Sequence, residues 1–240
     1  MRIIGVIPAR YNSSRFPGKP LVNINGKSMI ERVYKQAKKC KLLSDVIVAT
    51  DHQAIFNEVI KFGGKVEMTS KHNSGTERCN ELLHKIKGDF DVLINIQGDV
   101  PYINPKQIHQ IANIFTCKEA KIGTLVKKIK TSDELLDKNI VKVIIDNNYA
   151  LDFSRLPEIN INNITDSFFI DNTFYKHIGI YGYRVDVLDE ICKLKQTKRE
   201  KKEKLEQLRW LDNLYEIKVS ETMLDSKSVD VPKDIEKLNL

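Results

Sequence analysis

Arg10, Arg15 and Lys19 fall within ten residues of one another, in the stretch Pro8-Ala-Arg-Tyr-Asn-Ser-Ser-Arg-Phe-Pro-Gly-Lys-Pro20, beside the small Ser13 and Ser14 and a flexible Gly18. Guanidinium and ammonium groups next to exposed backbone N–H groups are what polyphosphate binding requires. Three later stretches carry complementary chemistry. Asn73-Ser-Gly-Thr-Glu-Arg78 sets a glycine and small hydroxyls ahead of a helical pattern, which suits a base or a phosphate. Asn95-Ile-Gln-Gly-Asp99 puts a carboxylate just past an apolar segment, and Val229-Asp230-Val231-Pro232 supplies a second. Two carboxylates beside a polyphosphate would hold Mg²⁺, which takes few protein ligands and completes its shell with phosphate oxygens. Each stretch also has a plainer reading: a solvated loop, a turn residue, an N-cap for the last helix.

Competing chemistries fail on inspection. Gly26-Lys27-Ser28 resembles the end of a P-loop, but Leu21 stands where the first glycine belongs. No Gly-x-Gly-x-x-Gly follows an apolar run, and His52, His72, His84, His109 and His177 have no linked nucleophile motif. Cys40, Cys79, Cys117 and Cys192 lie tens of residues apart, which offers neither a zinc knuckle nor a disulfide framework and implies reduced thiols in the cytoplasm. Lys and Arg total 39 against 32 Asp and Glu, a net charge of +7. The densest basic stretch, residues 193–204, contains no aromatic residue and is interrupted by Glu200 and Glu203, so it reads as a solvated helix rather than a nucleic-acid site. A basic protein attracts anionic small molecules all the same. No apolar run approaches the roughly 20 residues of a membrane helix. The opening apolar run is cut short by Pro8 and Arg10 without a cleavage-site pattern, which makes it a first buried strand.

The elements that must position these residues follow from periodicity. With 240 residues, 41% of them apolar and 30% charged, one large α/β domain fits. Residues 3–7, 46–49, 92–96, 141–145 and 215–219 are short and rich in β-branched side chains, as buried strands are. Between them, Met29, Ile30, Val33, Tyr34 and Ala37 make a helical stripe. So do Ile55, Val59 and Ile60 after a cap at Asp51, then Leu82, Leu83 and Ile86, then Ile108, Ile111, Ala112 and Phe115. Thr131 with Glu134 is a capping-box pattern, and Asn25-Gly26 a tight turn. The alternation predicts a mostly parallel twisted sheet flanked by helices. The cationic loop would then leave the carboxyl end of a central strand, where open α/β sheets bind ligands. Residues 156–173 are Asn-rich and lack a period until Phe168, which predicts an excursion or arm, placed around 156–184, on a single domain 1–240.

Taken together, the motifs are recognisable. Ile7-Pro-Ala-Arg-Tyr-Asn-Ser-Ser-Arg-Phe-Pro-Gly-Lys-Pro-Leu21, Asn25-Gly-Lys, Val48-Ala-Thr-Asp51, Ser74-Gly-Thr-Glu-Arg78, Gln97-Gly-Asp99, Phe153-Ser-Arg155, His177-Ile-Gly-Ile-Tyr-Gly-Tyr183 and Leu205-Glu-Gln-Leu-Arg209 occur in that order. The sequence resembles the 3-deoxy-manno-octulosonate (Kdo) cytidylyltransferases over essentially its whole length. The resemblance implies a fold of the nucleotide-diphospho-sugar transferase type with a dimerisation arm, a homodimer, Mg²⁺ as cofactor, and a reaction of CTP with Kdo that yields CMP-Kdo and pyrophosphate for lipopolysaccharide or capsule assembly. It implies Arg10, Lys19 and Asp99 as catalytic residues. Ala9, Arg10, Arg15, Lys19, Ser74, Gly75 and Arg78 fall to the nucleotide, Asp99 and Asp230 to the metal, and Gln97, Arg155, His177, Tyr181, Glu206 and Gln207 to the sugar. Val100 departs from the acid or Gln common in the family after Gln-Gly-Asp, which leaves a different α-keto acid sugar, such as an 8-amino analogue, as an alternative acceptor. A non-catalytic nucleotide-binding protein on the same scaffold is a further alternative.

Overall fold

The computed structural model describes residues 1–13, 15–156, 169, 172–236 and 238. Its first half runs β1 (Ile3–Ala9), β2 (Asn23–Ile24), β3 (Lys27–Ser28), α1 (Met29–Ala37), β4 (Leu43–Thr50), α2 (Gln53–Lys61), β5 (Val66–Met68), α3 (Gly75–Lys85), β6 (Val92–Asn95) and α4 (Pro105–Ile114). Then come β7 (Ile122–Lys128), α5 (Ser132–Leu136), β8 (Lys142–Asp146), β9 (Tyr149–Ser154), β10 (Tyr175–Arg184), the helices Val185–Cys192, Lys198–Glu203 and Gln207–Asp212, β11 (Ile217–Glu221) and the short helix Lys233–Glu236. Among the described residues nine strands form one sheet in the order β5-β4-β1-β6-β10-β7-β11-β9-β8.

β1 is apolar throughout because both of its faces are covered. Ile3 and Ile7 join a cluster with Ile30, Val33, Ile55 and Ile108, while Ile4 and Val6 join Leu82, Tyr183 and Trp210 on the opposite face. That division follows from the two-residue period of a strand. β1 pairs in parallel with β4 and β6, and β5 pairs in parallel with β4. Beyond β6 the sheet is mixed: β10 runs antiparallel to both β6 and β7, β7 and β11 are parallel, and β8 and β9 form an antiparallel pair at the edge.

The glycines of β10 and β7 explain how α4 lies so close to this junction. A Cβ on Gly182 would come 2.5 Å from Phe115, and one on Gly123 would come 3.0 Å from Ile114. The arm expected around 156–184 ends earlier than its periodicity suggests, because residues 175–184 are β10, at the centre of the sheet. Residues 157–168, 170 and 171, with Phe168 among them, lie outside the described residues.

Local signals mostly hold. Ser28 and Ser74 cap α1 and α3, accepting from the N–H groups of Glu31 and Glu77. Asn25 and Gly26 both take positive φ, 48° and 80°, at the β2–β3 turn. Thr131 Oγ1 accepts from Glu134 N, but the Glu134 carboxylate reaches Lys130 N instead of the Thr131 backbone, so only half of a capping box forms. The cap of α2 is His52, whose Nδ1 accepts from Ala54 N at 3.2 Å; Asp51 is drawn away to pair with Arg78. Ile60, expected on the buried stripe of α2, is 55% exposed. In the basic stretch, Glu200 is not solvated: it is buried and accepts from Nε (2.8 Å) and Nη2 (2.5 Å) of the buried Arg209.

Candidate active site

Where β1 ends, at Ala9, the chain doubles back. Tyr11 O accepts from the N–H groups of Ser13 (3.0 Å) and Gly18 (2.9 Å), and the Tyr11 ring stacks on His52 with centroids 4.0 Å apart. Gly18 sits over that ring at φ 72°, a conformation glycine adopts without a Cβ penalty. A single 3-10 turn, Lys19–Leu21, then aims Lys19 inward. Its ammonium donates to Asp99 Oδ2 at 2.7 Å and to Val229 O at 2.9 Å, and lies 3.8 Å from Asp230 Oδ1. Arg15 donates to Asp230 Oδ1 at 2.7 Å. Val229 N donates to Asp99 O, which ties the C-terminal segment to the turn after β6. Asp234 Oδ2, inside the last helix, accepts from Asp230 N and Val231 N just ahead of it, while the Asp230 carboxylate faces Lys19 and Arg15. Ser14 lies outside the described residues.

Two glycines permit this convergence. A Cβ on Gly98 would come 2.9 Å from Pro8 O, and one on Gly75 would come 3.1 Å from Pro8 Cγ. The turn after β6 and the first turn of α3 are thereby packed against the end of β1. Between them lies a cleft of about 300 Å³, lined by Ala9, Arg10, Arg15, Lys19, Ser74, Gly75 and Arg78 together with Gln97, Asp99 and Asp230. Asn73, which opens the stretch singled out above, lines it as well, and so does His72, which sequence reasoning passed over. Arg10 is exposed and makes no ion pair with any described residue, so its guanidinium is available to an anion. Arg78 is different: it is buried, with its guanidinium bound to Thr69 Oγ1 (2.5 Å), Ser70 O (3.2 Å) and Asp51 Oδ2 (3.1 Å). It braces the wall. Three cations and the N-terminus of α3 make the cleft positive on the β1 side.

A second cavity, about 780 Å³, adjoins the first and shares Gln97, Asp99 and Asp230 with it. Val100, Arg155, His177, Lys176 and Asp225 also line it. Arg155 is anchored by Nε to Glu203 O (3.0 Å) and by Nη1 to Lys138 O (3.1 Å). His177 Nε2 lies 2.9 Å from Thr124 Oγ1, and burial pushes the imidazole pKa down to about 3. Lys176 pairs with Glu134 and with Asp225 (3.2 Å), a meeting of three residues far apart in the chain that no spacing in the sequence signals.

Three residues expected on the sugar side do not line this cavity. Tyr181 is buried against His177, Tyr183 and Trp210. Glu206 accepts from Thr76 Oγ1 at 2.8 Å, its pKa raised by burial. It lines a separate depression with Ser74 and Arg209. Gln207 is buried in the first turn of its helix. Tyr181 belongs to the aromatic core behind His177, and Thr76 in the first turn of α3 holds Glu206.

Among the described residues no group of three or more His, Cys, Asp and Glu side chains could hold a metal ion. Asp99 and Asp230, however, both face one point, held by the Lys19 ammonium. Two carboxylates fit a hard cation that draws its remaining ligands from phosphate oxygens and water.

Residues 4–221 match the family described as Cytidylyltransferase. A 3-deoxy-manno-octulosonate cytidylyltransferase of Parabacteroides distasonis is 49% identical, covering 99% of this chain and 96% of the relative. One from Cytophaga hutchinsonii is 44% identical over 97% of this chain and 94% of the relative. A solved structure of CMP:2-keto-3-deoxy-manno-octonic acid synthetase complexed with CTP superposes with a TM-score of 0.91 at 37% identity, covering 100% of this chain and 97% of that one.

Proposed function

From the premise that the chain belongs to the cytidylyltransferase family, among the 3-deoxy-manno-octulosonate cytidylyltransferases, we propose that it joins CTP to Kdo and releases pyrophosphate. The observation that carries this reading is the meeting of two cavities at Gln97, Asp99 and Asp230, with Lys19 bonded to Asp99 at that junction. The smaller, cationic cleft takes the triphosphate and the larger cavity takes the sugar acid. The anomeric hydroxyl oxygen bonds to the α-phosphorus, the bond from that phosphorus to the bridging oxygen breaks, pyrophosphate leaves, and the hydroxyl proton passes to solvent.

Negative charge grows on the departing pyrophosphate. Arg10, Arg15 and Lys19 stand where it develops, and fixed charges in place beforehand stabilise a transition state without reorganising. Asp99 and Asp230 would hold Mg²⁺, which when bound supplies further positive charge to the phosphate oxygens. Arg155 suits the sugar carboxylate, since a guanidinium grips a carboxylate through parallel bonds. Ser74 and Gly75 offer the first turn of α3 to the nucleotide. Holding two reactants in line in adjoining cavities supplies on the order of 7–11 kcal/mol of barrier reduction. Tyr181 acts from behind the cavity wall, through its contact with His177.

The protein works as a homodimer in the cytoplasm. Ile144 and Leu151, 58% and 57% exposed on the edge strand β8 and its neighbour β9, support the first part. Four free cysteines support the second, and no helix among the described residues is long and apolar enough to cross a membrane. The test is pyrophosphate release with CTP and a panel of α-keto acid sugars. Release fastest with Kdo supports the reading, release fastest with the 8-amino analogue transfers it to that acceptor, and CTP binding without release from any sugar overturns it.

A further inference from the structure

We propose that Thr124, a buried hydroxyl in β7, fixes the tautomer of His177 so that the imidazole presents Nδ1 as a hydrogen-bond acceptor to a hydroxyl of the acceptor sugar. The proposal rests on the reading of the larger cavity as the sugar site. Thr124 is fully buried, and its Oγ1 lies 2.7 Å from Ile180 O, 2.9 Å from His177 Nε2 and 3.4 Å from Ile178 O, with the Tyr181 hydroxyl beside it as a further donor. A hydroxyl has one proton to donate, and a carbonyl oxygen can only accept. The proton therefore goes to Ile180 O, the shortest of the contacts. The oxygen lone pairs of Thr124 are left for Nε2, so Nε2 must carry the ring proton.

Burial keeps the imidazole neutral at ordinary pH, so it has a single ring proton. With that proton on Nε2, Nδ1 is bare. Nδ1 has no partner among the described residues, and His177 lines the larger cavity. The backbone explains why Thr124 meets two carbonyls at once. β10 changes register against β7 between Ile178 and Tyr181, and this bulge brings both Ile178 O and Ile180 O within reach of Thr124. The ring is held from the sides, with the Phe153 ring 5.4 Å away edge-on and the Tyr181 ring 5.0 Å away. A neutral acceptor held this way selects an O–H group and disfavours a carboxylate. It therefore complements Arg155, the cationic group lining the same cavity. Thr124 is a positioning residue: it acts through His177 and does not itself line the cavity.

The experiment compares wild type, Thr124→Val and Thr124→Ser, labelled with ¹⁵N-histidine. Two-bond ¹H–¹⁵N correlations of His177 are recorded without ligand, and KM is then measured for each substrate. Wild type and the Ser variant are expected to show the Nε2–H pattern, with the Val variant shifting toward Nδ1–H. The Val variant is expected to raise the sugar KM about tenfold and to leave the CTP KM unchanged, as loss of one hydrogen bond would. An Nδ1–H wild type overturns the proposal, even if the Val variant fails to fold. So does a changed tautomer with an unmoved sugar KM. Absence of pyrophosphate release by wild type would sink the proposed reaction instead, a failure the ligand-free spectrum distinguishes.

Discussion

Lys19 and Asp99, eighty positions apart in the chain, form a 2.7 Å ion pair at the point where the two cavities meet. The pair is partly exposed, so its worth to folding is small, about 0–1 kcal/mol; its value lies in where it puts the charges. Asp99→Asn is expected to lower pyrophosphate release by about 10²–10³-fold, in the range seen when a preorganised charge is removed from a site. Circular dichroism and Tm should stay near wild type. Near-normal turnover in the Asn variant would end the assignment of Asp99 to the reaction.

Gly98 tests geometry without touching charge. Its added Cβ would meet a backbone oxygen, Pro8 O, at 2.9 Å, so the turn bearing Asp99 must shift away from β1. Misplacing a reacting constellation by about 1 Å costs about 10²-fold. Gly98→Ala is therefore expected to lower kcat by about that factor while urea denaturation changes little. A variant with wild-type kcat would show that the close approach of the two loops is unnecessary.

Arg209 and Glu200 make the opposite case. Their pair is buried, and removing one partner strands the other charge. Arg209→Ala is expected to cost about 3–5 kcal/mol in the urea-unfolding free energy. Glu200→Met combined with Arg209→Met should recover most of that loss, because neither charge remains. A loss no greater for Arg209→Ala than for the double variant would contradict the burial of this pair.

His177 makes stability depend on pH. Its pKa lies near 3 in the folded protein, against 6.5 when unperturbed, so the unfolded chain binds the extra proton between these values. The contribution is fully present above pH 6.5 and is lost as pH falls toward 3. Between pH 7.5 and 4.5, His177→Gln should lose less of its urea midpoint than wild type does. Parallel curves would show that the imidazole is solvated in the folded state.

How much of this was legible beforehand depended on whether the signal was local. β1, β4 and β6 announce themselves as apolar runs, Thr131 as a cap and Asn25-Gly26 as a turn, because each is decided within a few residues. The meeting of Lys19 with Asp99 and Asp230 was suggested by residue chemistry alone, and the resemblance then gave each residue its role. β10 escaped periodicity because Gly179 and Gly182 interrupt its apolar pattern, Gly182 in order to admit Phe115. For the same reason the boundary of the expected arm fell inside the sheet. Arg78 is a wall residue rather than a free cation because Asp51 and Thr69 claim it, and no spacing in the sequence foretells that competition. Thr124 has no motif at all; its part depends on a register shift in a neighbouring strand.

The most direct measurement is a crystal structure of this protein grown with CTP. The expected result places the triphosphate in the cleft beside Pro8, with its oxygens in hydrogen-bond reach of Lys19 and Arg10, on the side that Asp99 and Asp230 face. A triphosphate bound away from Lys19, or one that leaves the two aspartates facing empty solvent, would contradict the account.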